Sequence, residues 1–142
     1  MMEVIPFQAK HIQQIELQGE QEYLSKYVNK QHAEALVGDW AFTGIVNGVP
    51  VAAAGVIPMW QGRGMAWAYI SKHAMAHSFI PVHKAVKRFL DQCYLHRIEM
   101  TVDCEFAEGH RWAHMLGFRL EAVRMRGYRP DGGDCALYAR VR

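Results

Sequence analysis

Two pairs of histidines are spaced four residues apart, the spacing that brings two imidazoles to one face of a helix. The pairs are His73 with His77 and His110 with His114. Imidazole is a common zinc ligand, but a zinc site takes three or four protein ligands. Neither pair carries the Glu of a His-Glu-x-x-His motif or an evident third ligand. The sequence therefore predicts no metal site.

The cysteines are odd in number, widely spaced and without a Cys-x-x-Cys pair: Cys93, Cys104 and Cys135. This pattern indicates neither a disulfide framework nor a zinc knuckle, and reduced thiols fit the cytoplasm. The first residues lack the basic region and apolar run of a signal peptide, and no stretch approaches the ~20 apolar residues that span a bilayer. We therefore expect a soluble cytoplasmic protein without a membrane partner.

The composition indicates an ordered chain with a small charge. Hydrophobic residues make up 51% of the 142 residues and charged residues 21%, and the formal net charge is +2. This balance is typical of globular proteins, and the charge is too small and too mixed in sign to indicate nucleic-acid binding. We predict one domain over residues 1–142 and no nucleic-acid partner.

Hydrophobic periodicity predicts alternating strands and helices. In chain order these are a strand at 3–7, helices at 9–17 and 20–36, strands at 40–46, 51–56 and 65–71, a helix at 81–94, a strand at 98–102, a helix at 106–116, and strands at 120–128 and 135–141. Asn47-Gly48 separates the second and third strands and favours a tight hairpin, because both residues tolerate positive φ. The glycine-rich residues 61–64 precede a strand rather than a helix. We interpret them as a second turn, with phosphate binding as the alternative.

The order of these elements resembles the GNAT superfamily of N-acetyltransferases over nearly the whole chain. The most specific local match is WAHMLGFRLE at 112–121, where a helix ends at Leu-Gly-Phe and a charged strand follows. The resemblance implies an α/β (α+β) fold, with a mixed, mostly antiparallel twisted sheet of about six to seven strands flanked by about four helices. The small size also resembles the acetyltransferase-like proteins of tailed bacteriophages.

The resemblance implies acetyl-CoA as the coenzyme and no metal. In the family the coenzyme lies in a cleft between the fourth and fifth strands, and its pyrophosphate binds at the amino end of the following helix, where amide groups are unpaired. Carried over to this chain, the cleft lies between residues 69–73 and 100–103. The implied coenzyme-binding residues are Tyr69, Ser71, His77, Ser78, Phe79 and Ile80.

Transfer to an amine also needs a base for the incoming ammonium. By resemblance the candidates are His73 after the fourth strand, and Asp103 and Glu105 after the fifth. Two of them have simpler interpretations, because Asp103 can cap the next helix and Glu105 can be solvated. The implied partners are therefore acetyl-CoA and an unidentified amine acceptor, and a homodimer is expected because two-fold pairs are the commonest oligomers.

The chain departs from the family pattern at two places. Residues 76–81 contain no glycine, and Pro81 removes one amide donor from the region assigned to phosphate. The family's tyrosine, which protonates the departing thiolate, is replaced by Ala113. Two functions follow: an N-acyltransferase with a degenerate coenzyme loop, or a non-catalytic GNAT-fold phage protein that acts in the virion or on a host partner. A phage protein would lie in the host cytoplasm or in the virion.

Overall fold

The computed structural model describes residues 1–17 and 27–142. Seven strands of this part form one sheet in the order β1-β2-β3-β4-β5-β7-β6. The strands are β1 (Met2–Pro6), β2 (Ala41–Val46), β3 (Val49–Trp60), β4 (Arg63–Ile70), β5 (Arg97–Asp103), β6 (Arg119–Met125) and β7 (Cys135–Val141). Neighbouring strands run antiparallel except β4 and β5, which run parallel. The mixed, mostly antiparallel sheet is confirmed.

The predicted meander of β2, β3 and β4 is also confirmed. Its first turn has Asn47 at φ 51° and Gly48 at φ 77°, the left-handed values that a two-residue hairpin turn requires. Strand β3 is longer than predicted, because it continues through Pro58, which stands opposite Gly64 where the register shifts. An irregular position of this kind tolerates a residue without an amide hydrogen.

Five helices lie in the described residues, one more than predicted. They are α1 (Ala9–Gln14), α2 (Lys30–Ala35), α3 (Lys72–His77), α4 (Phe79–Gln92) and α5 (Ala107–Met115). The sequence did not predict α3, which begins where the Ser71 hydroxyl accepts a hydrogen bond from the Ala74 amide at 2.9 Å. Helix α4 begins at Phe79 rather than at Pro81. A proline is tolerated in the first turn because the amides there have no intrahelical partner.

The predicted helix at 20–36 can be compared with the structure only in part, because residues 18–26 lie outside the described residues. In the described part, α2 begins at Lys30 and not earlier. Asn29 precedes it in extended conformation, and its side-chain oxygen accepts a hydrogen bond from the His32 amide at 2.9 Å. An asparagine that caps in this way stops a helix from extending toward the amino terminus.

The two faces of the sheet carry different helices. Helices α1 and α2 pack on one face, in a core that includes Phe7, Ile12, Ala33, Leu36 and Tyr69. Helices α4 and α5 pack on the other face, in a core that includes Leu90, Val102, Ala113, Leu116 and Tyr138. Gly109 allows α5 to approach β5 closely, since a Cβ there would lie 2.7 Å from Val102 Cγ1. The sheet therefore separates two helical layers.

His11 attaches α1 to the sheet through a buried polar contact. Its Nδ1 accepts a hydrogen bond from the Gln8 amide at 3.1 Å and lies 2.8 Å from the Thr43 hydroxyl. Both His11 and Thr43 are buried. Burial, with a smaller contribution from Lys10, lowers the pKa of His11. The neutral imidazole is therefore the form that the folded chain holds.

Acid is expected to destabilise the fold through His11. The folded pKa lies below the unfolded value of 6.5, so this contribution is complete above the unfolded value and is lost as the pH falls from there toward the folded pKa. We expect the free energy of unfolding, measured with urea between pH 7.5 and 5.5, to fall less in His11→Asn than in the wild type. The Asn oxygen keeps an acceptor near the Nδ1 position and cannot protonate. Equal acid sensitivity of the two proteins would contradict this role.

Candidate functional site

Strands β4 and β5 separate soon after they meet. They pair only at Arg63 with Arg97, Gly64 with Ile98 and Met65 with Glu99. Beyond these pairs, β4 stays paired with β3 as far as Ile70, and β5 stays paired with β7 as far as Asp103. The two strands therefore bound a V-shaped gap that widens toward their carboxyl ends.

A group of ion pairs holds the closed end of this gap. The Glu99 carboxylate accepts hydrogen bonds from Arg63 on β4, including one from Nη2 at 3.2 Å, and from Arg97 Nε at 2.8 Å. The Glu99 side chain is only 7% exposed. The hydrogen bond from Arg63, together with the one from Arg97, outweighs burial and lowers the pKa of Glu99 to about 2. Arg97 also binds Glu121 on β6, at 2.6 Å.

The open part of the gap is an apolar cavity of about 350 Å³ on the α4 and α5 side. Small residues form its floor on β3 and β4, namely Ala54, Gly55, Ala66 and Ala68. Aromatic and aliphatic side chains of α4, β5 and α5 form its walls, whereas Asp103, Glu108 and Arg111 bring charge to the end where β5 stops. The cavity suits a narrow, largely apolar ligand.

The amino end of α4 lies beside this cavity, since Phe79 lines it. Ser78 precedes the helix and is 8% exposed, yet its side chain makes no capping hydrogen bond. The first-turn amides of Phe79 and Ile80 are therefore left without a side-chain cap. Free amides and the positive end of the helix dipole favour an anion at this position.

The surface around this helix end is basic. Residues 40–90 contain no Asp or Glu, and α3 and α4 carry cations and histidines throughout. These are Lys72, His73, His77, His83, Lys84, Lys87 and Arg88. The absence of acidic residues over so long a stretch is visible in the sequence, although the predictions above do not include a basic surface here. It predicts local attraction for a polyanion even though the net charge of the chain is small.

The predicted coenzyme residues divide into two groups. His77, Ser78, Phe79 and Ile80 lie together at the junction of α3 and α4. Tyr69 instead packs on the α1 and α2 face, where its hydroxyl lies 3.3 Å from His32 Nε2. The side chain of Ser71 caps α3. The helix junction therefore gathers four of the six predicted residues.

The predicted bases also lie in two places. His73 is exposed on α3, and its ring centroid is 4.6 Å from that of His77. Asp103 lines the cavity at the end of β5. Its carboxylate pairs with Arg129 and accepts a hydrogen bond from the Glu105 amide at 2.9 Å. The Glu105 side chain is 86% exposed. Asp103 thus stabilises the turn before α5 and leaves Glu105 facing solvent.

Two aromatic contacts join α4 to α5 at the mouth of the cavity, and the sequence did not predict them. Trp112 Nε1 donates a hydrogen bond to His83 Nδ1 at 3.0 Å. Phe79 stacks on His83 with a centroid distance of 6.0 Å and contacts Trp112 edge-on at 5.6 Å. Residues that are 29 positions apart give no local sequence signal for such a contact.

The histidines of α5 contact a tyrosine from β7. His110 Nε2 lies 3.1 Å from the Cys104 carbonyl oxygen, and His110 Nδ1 lies 2.7 Å from the Tyr138 hydroxyl. His114 contacts the Tyr138 ring edge-on. The carbonyl can only accept, so His110 carries its proton on Nε2 and accepts from Tyr138 at Nδ1.

Among residues 1–17 and 27–142, no group of three or more His, Cys, Asp or Glu side chains could hold a metal ion.

Comparison with known proteins gives matches in structure and not in sequence. No protein-family model matches the sequence, and no curated protein matches it. Among solved structures, Ard1 from Thermoplasma volcanium matches with a TM-score of 0.76 at 15% identity, over 99% of this chain and 97% of that one. The chain has the GNAT fold.

Two further structures with this fold match over most of their length. The ribosomal-protein-S18-alanine N-acetyltransferase from Escherichia coli has a TM-score of 0.75 at 13% identity, with 99% of this chain and 94% of that one covered. A GNAT-family acetyltransferase from Bacillus anthracis has a TM-score of 0.70 at 16% identity, with the same coverage of 99% and 94%. The fold implied by the Leu-Gly-Phe segment and the element order is thereby confirmed. No helix in the described parts of this GNAT-fold chain is long and apolar enough to cross a membrane.

Proposed function

We propose that the chain is an N-acetyltransferase that uses acetyl-CoA and an amine acceptor. The observation that carries this proposal is the apolar cleft between β4 and β5, which leads to an uncapped helix end on a basic surface. A CoA thioester matches this arrangement, because its narrow thioester arm suits the apolar cleft and its phosphates suit the helix end. The solved acetyltransferases of the same fold support the proposal.

The residues at the helix end fit a pyrophosphate despite the missing glycines. The amides of Phe79 and Ile80 can donate to phosphate oxygens, and the Ser78 hydroxyl has no capping contact to give up. Pro81 contributes no donor, so the site has fewer amides than a glycine-rich loop supplies. The basic residues of α3 and α4 supply compensating positive charge.

Acetyl-CoA would supply an acetyl group activated as a thioester. The chain must position that group and allow two proton transfers, one from the acceptor ammonium and one to the departing thiolate. A base must take a proton from the acceptor ammonium. We propose Glu105 or His73 for this role, because both are exposed and each lies two positions from a residue that lines the cleft, Asp103 and Met75 respectively. Asp103 is engaged by Arg129 and would orient the turn that carries Glu105. With Ala113 in place of a tyrosine, water would protonate the thiolate. General acid catalysis commonly contributes ~10²–10⁴ in rate, so we expect slow turnover.

Calorimetric titration with acetyl-CoA tests the proposal. We expect saturable binding to the wild type and a loss of affinity of at least about tenfold in Ser78→Glu and Ile80→Glu, because each adds a negative charge beside the phosphates. Ile80 is exposed, and a Glu in the first turn favours the helix, so Ile80→Glu should fold normally.

Gln31→Glu adds the same charge on α2, at an exposed position away from this helix end, and should bind like the wild type. No binding to the wild type at millimolar coenzyme would overturn the proposal. Ala113 and Pro81 favour the second candidate in that case: a non-catalytic GNAT-fold protein of a phage virion or a host-interaction protein. A homodimer and a cytoplasmic location stay predictions under either function.

A further inference from the structure

A second groove adjoins the cleft on the surface of α4. Its volume is about 420 Å³, and its lining is His83, Lys84, Lys87, Arg88, Asp91 and Gln92. Phe79 and Trp112 line the cleft, and both contact His83. His83 therefore stands at the boundary between the cleft and the groove, and a ligand that leaves the cleft over the first turn of α4 reaches the groove next.

Two of the three groove cations have no acidic partner among the described residues. Lys87 Nζ lies 2.9 Å from Asp91 Oδ2. Lys84 and Arg88 make no ion pair anywhere in residues 1–17 and 27–142 and are both exposed. They are four residues apart on one helix, so their like charges lie on the same face and repel. An anion bound between them would remove that repulsion.

Trp112 sets the orientation of the His83 imidazole. An indole nitrogen can only donate a hydrogen bond, and here it donates to His83 Nδ1 at 3.0 Å. The neutral imidazole therefore carries its proton on Nε2, where it can donate to a ligand. The stacked ring of Phe79 restricts the same imidazole from one side. The groove thus offers one positioned donor and two cations that form no ion pair within the described part of the chain.

We propose that His83, Lys84 and Arg88 bind the 3′-phosphate of the CoA nucleotide, an inference that rests on the proposed use of acetyl-CoA. A phosphate monoester carries close to two negative charges near neutral pH and three acceptor oxygens. That chemistry matches two cations and one donor. The subsite makes the chain selective for thioesters of CoA over acetyl carriers that lack this phosphate.

The test compares acetyl-CoA with 3′-dephospho-acetyl-CoA by calorimetric titration of the full chain. We expect the wild type to bind the dephospho form at least about tenfold more weakly, because hydrogen bonds to charged groups are strong. A Lys84→Gln/Arg88→Gln double variant should bind both forms with the same weakened affinity. Lys87→Gln is the matched control. Because Lys87 is already paired with Asp91, loss of its charge should weaken the binding of both forms alike and leave the ratio of the two affinities at the wild-type value.

The outcomes separate this subsite from the proposed function. Equal affinity of the wild type for the two coenzymes overturns the subsite and leaves acetyl-CoA binding intact. Discrimination retained by the double variant also overturns it, because the phosphate then binds elsewhere. An equal loss of preference in Lys87→Gln overturns it too, since the effect would be general attraction. Absence of saturable binding of either form overturns both proposals.

Discussion

Replacing Ala66 by Phe is expected to abolish acetyl-CoA binding without unfolding the chain. Ala66 lies on β4, lines the 350 Å³ cavity and packs beside the core under α4 and α5. A phenyl ring at this position occupies the space that the thioester arm would enter. We expect the affinity, measured by calorimetric titration, to fall by at least ~100-fold.

The same substitution tests whether the gap is a ligand site or a defect of packing. Filling an apolar cavity commonly stabilises a protein by ~0.5–2 kcal/mol, so the Tm of Ala66→Phe should equal or exceed that of the wild type. Ala35→Phe, at an exposed position in α2 on the opposite face, is the matched control and should bind normally. Wild-type affinity in Ala66→Phe would exclude the cleft as the coenzyme site.

Local signals predicted most of the sheet and the end of α5. Asn47-Gly48 encodes its hairpin because both residues reach positive φ. Gly117 ends α5 at φ 90°, and Phe118 then donates its amide to the Ala113 carbonyl at 3.0 Å and is buried. Such features depend on residues that are close together in the sequence, which is why sequence alone identified them.

Helix α3 is an element that local sequence patterns did not predict. Its six residues, KHAMAH, contain no apolar stripe with helical spacing. The only signal was Ser71, an ordinary N-cap residue that the hydrophobic pattern assigned to the preceding strand. Because α3 sets the position of His77 and Ser78, missing it also displaced the predicted start of α4.

The cleft itself could not be derived from residue types. Its shape depends on where β4 and β5 stop pairing, at Met65 with Glu99, and no local pattern encodes the pairing of strands so distant in the chain. The resemblance to the GNAT superfamily predicted that the gap lies between the fourth and fifth strands. Only the structure shows that its lining is apolar. The basic character of α3 and α4 could be predicted from the absence of Asp and Glu in residues 40–90, because local charge follows from the residue types alone.

The largest effect on stability is expected from Glu99→Gln. The substitution leaves Arg63 and Arg97 beside a neutral amide at the closed end of the cleft, where Glu99 is nearly buried. Removing one partner of a buried ion pair typically costs ~3–5 kcal/mol, and the partial exposure of both arginines reduces this to about 2–3 kcal/mol. Urea unfolding at pH 7 measures the loss.

The effect of Glu99 should depend on pH with a defined sign. The folded pKa of about 2 lies below the ordinary value of 4.5, so the stabilisation is complete above pH 4.5 and is lost as the pH falls toward 2. Linkage makes that loss about 3 kcal/mol. The difference between wild type and Glu99→Gln should therefore shrink in acid, whereas the more exposed Glu121→Gln should have a smaller effect throughout. A difference that stays constant from pH 7 to pH 2.5 would assign the role of Glu99 to packing rather than to its charge.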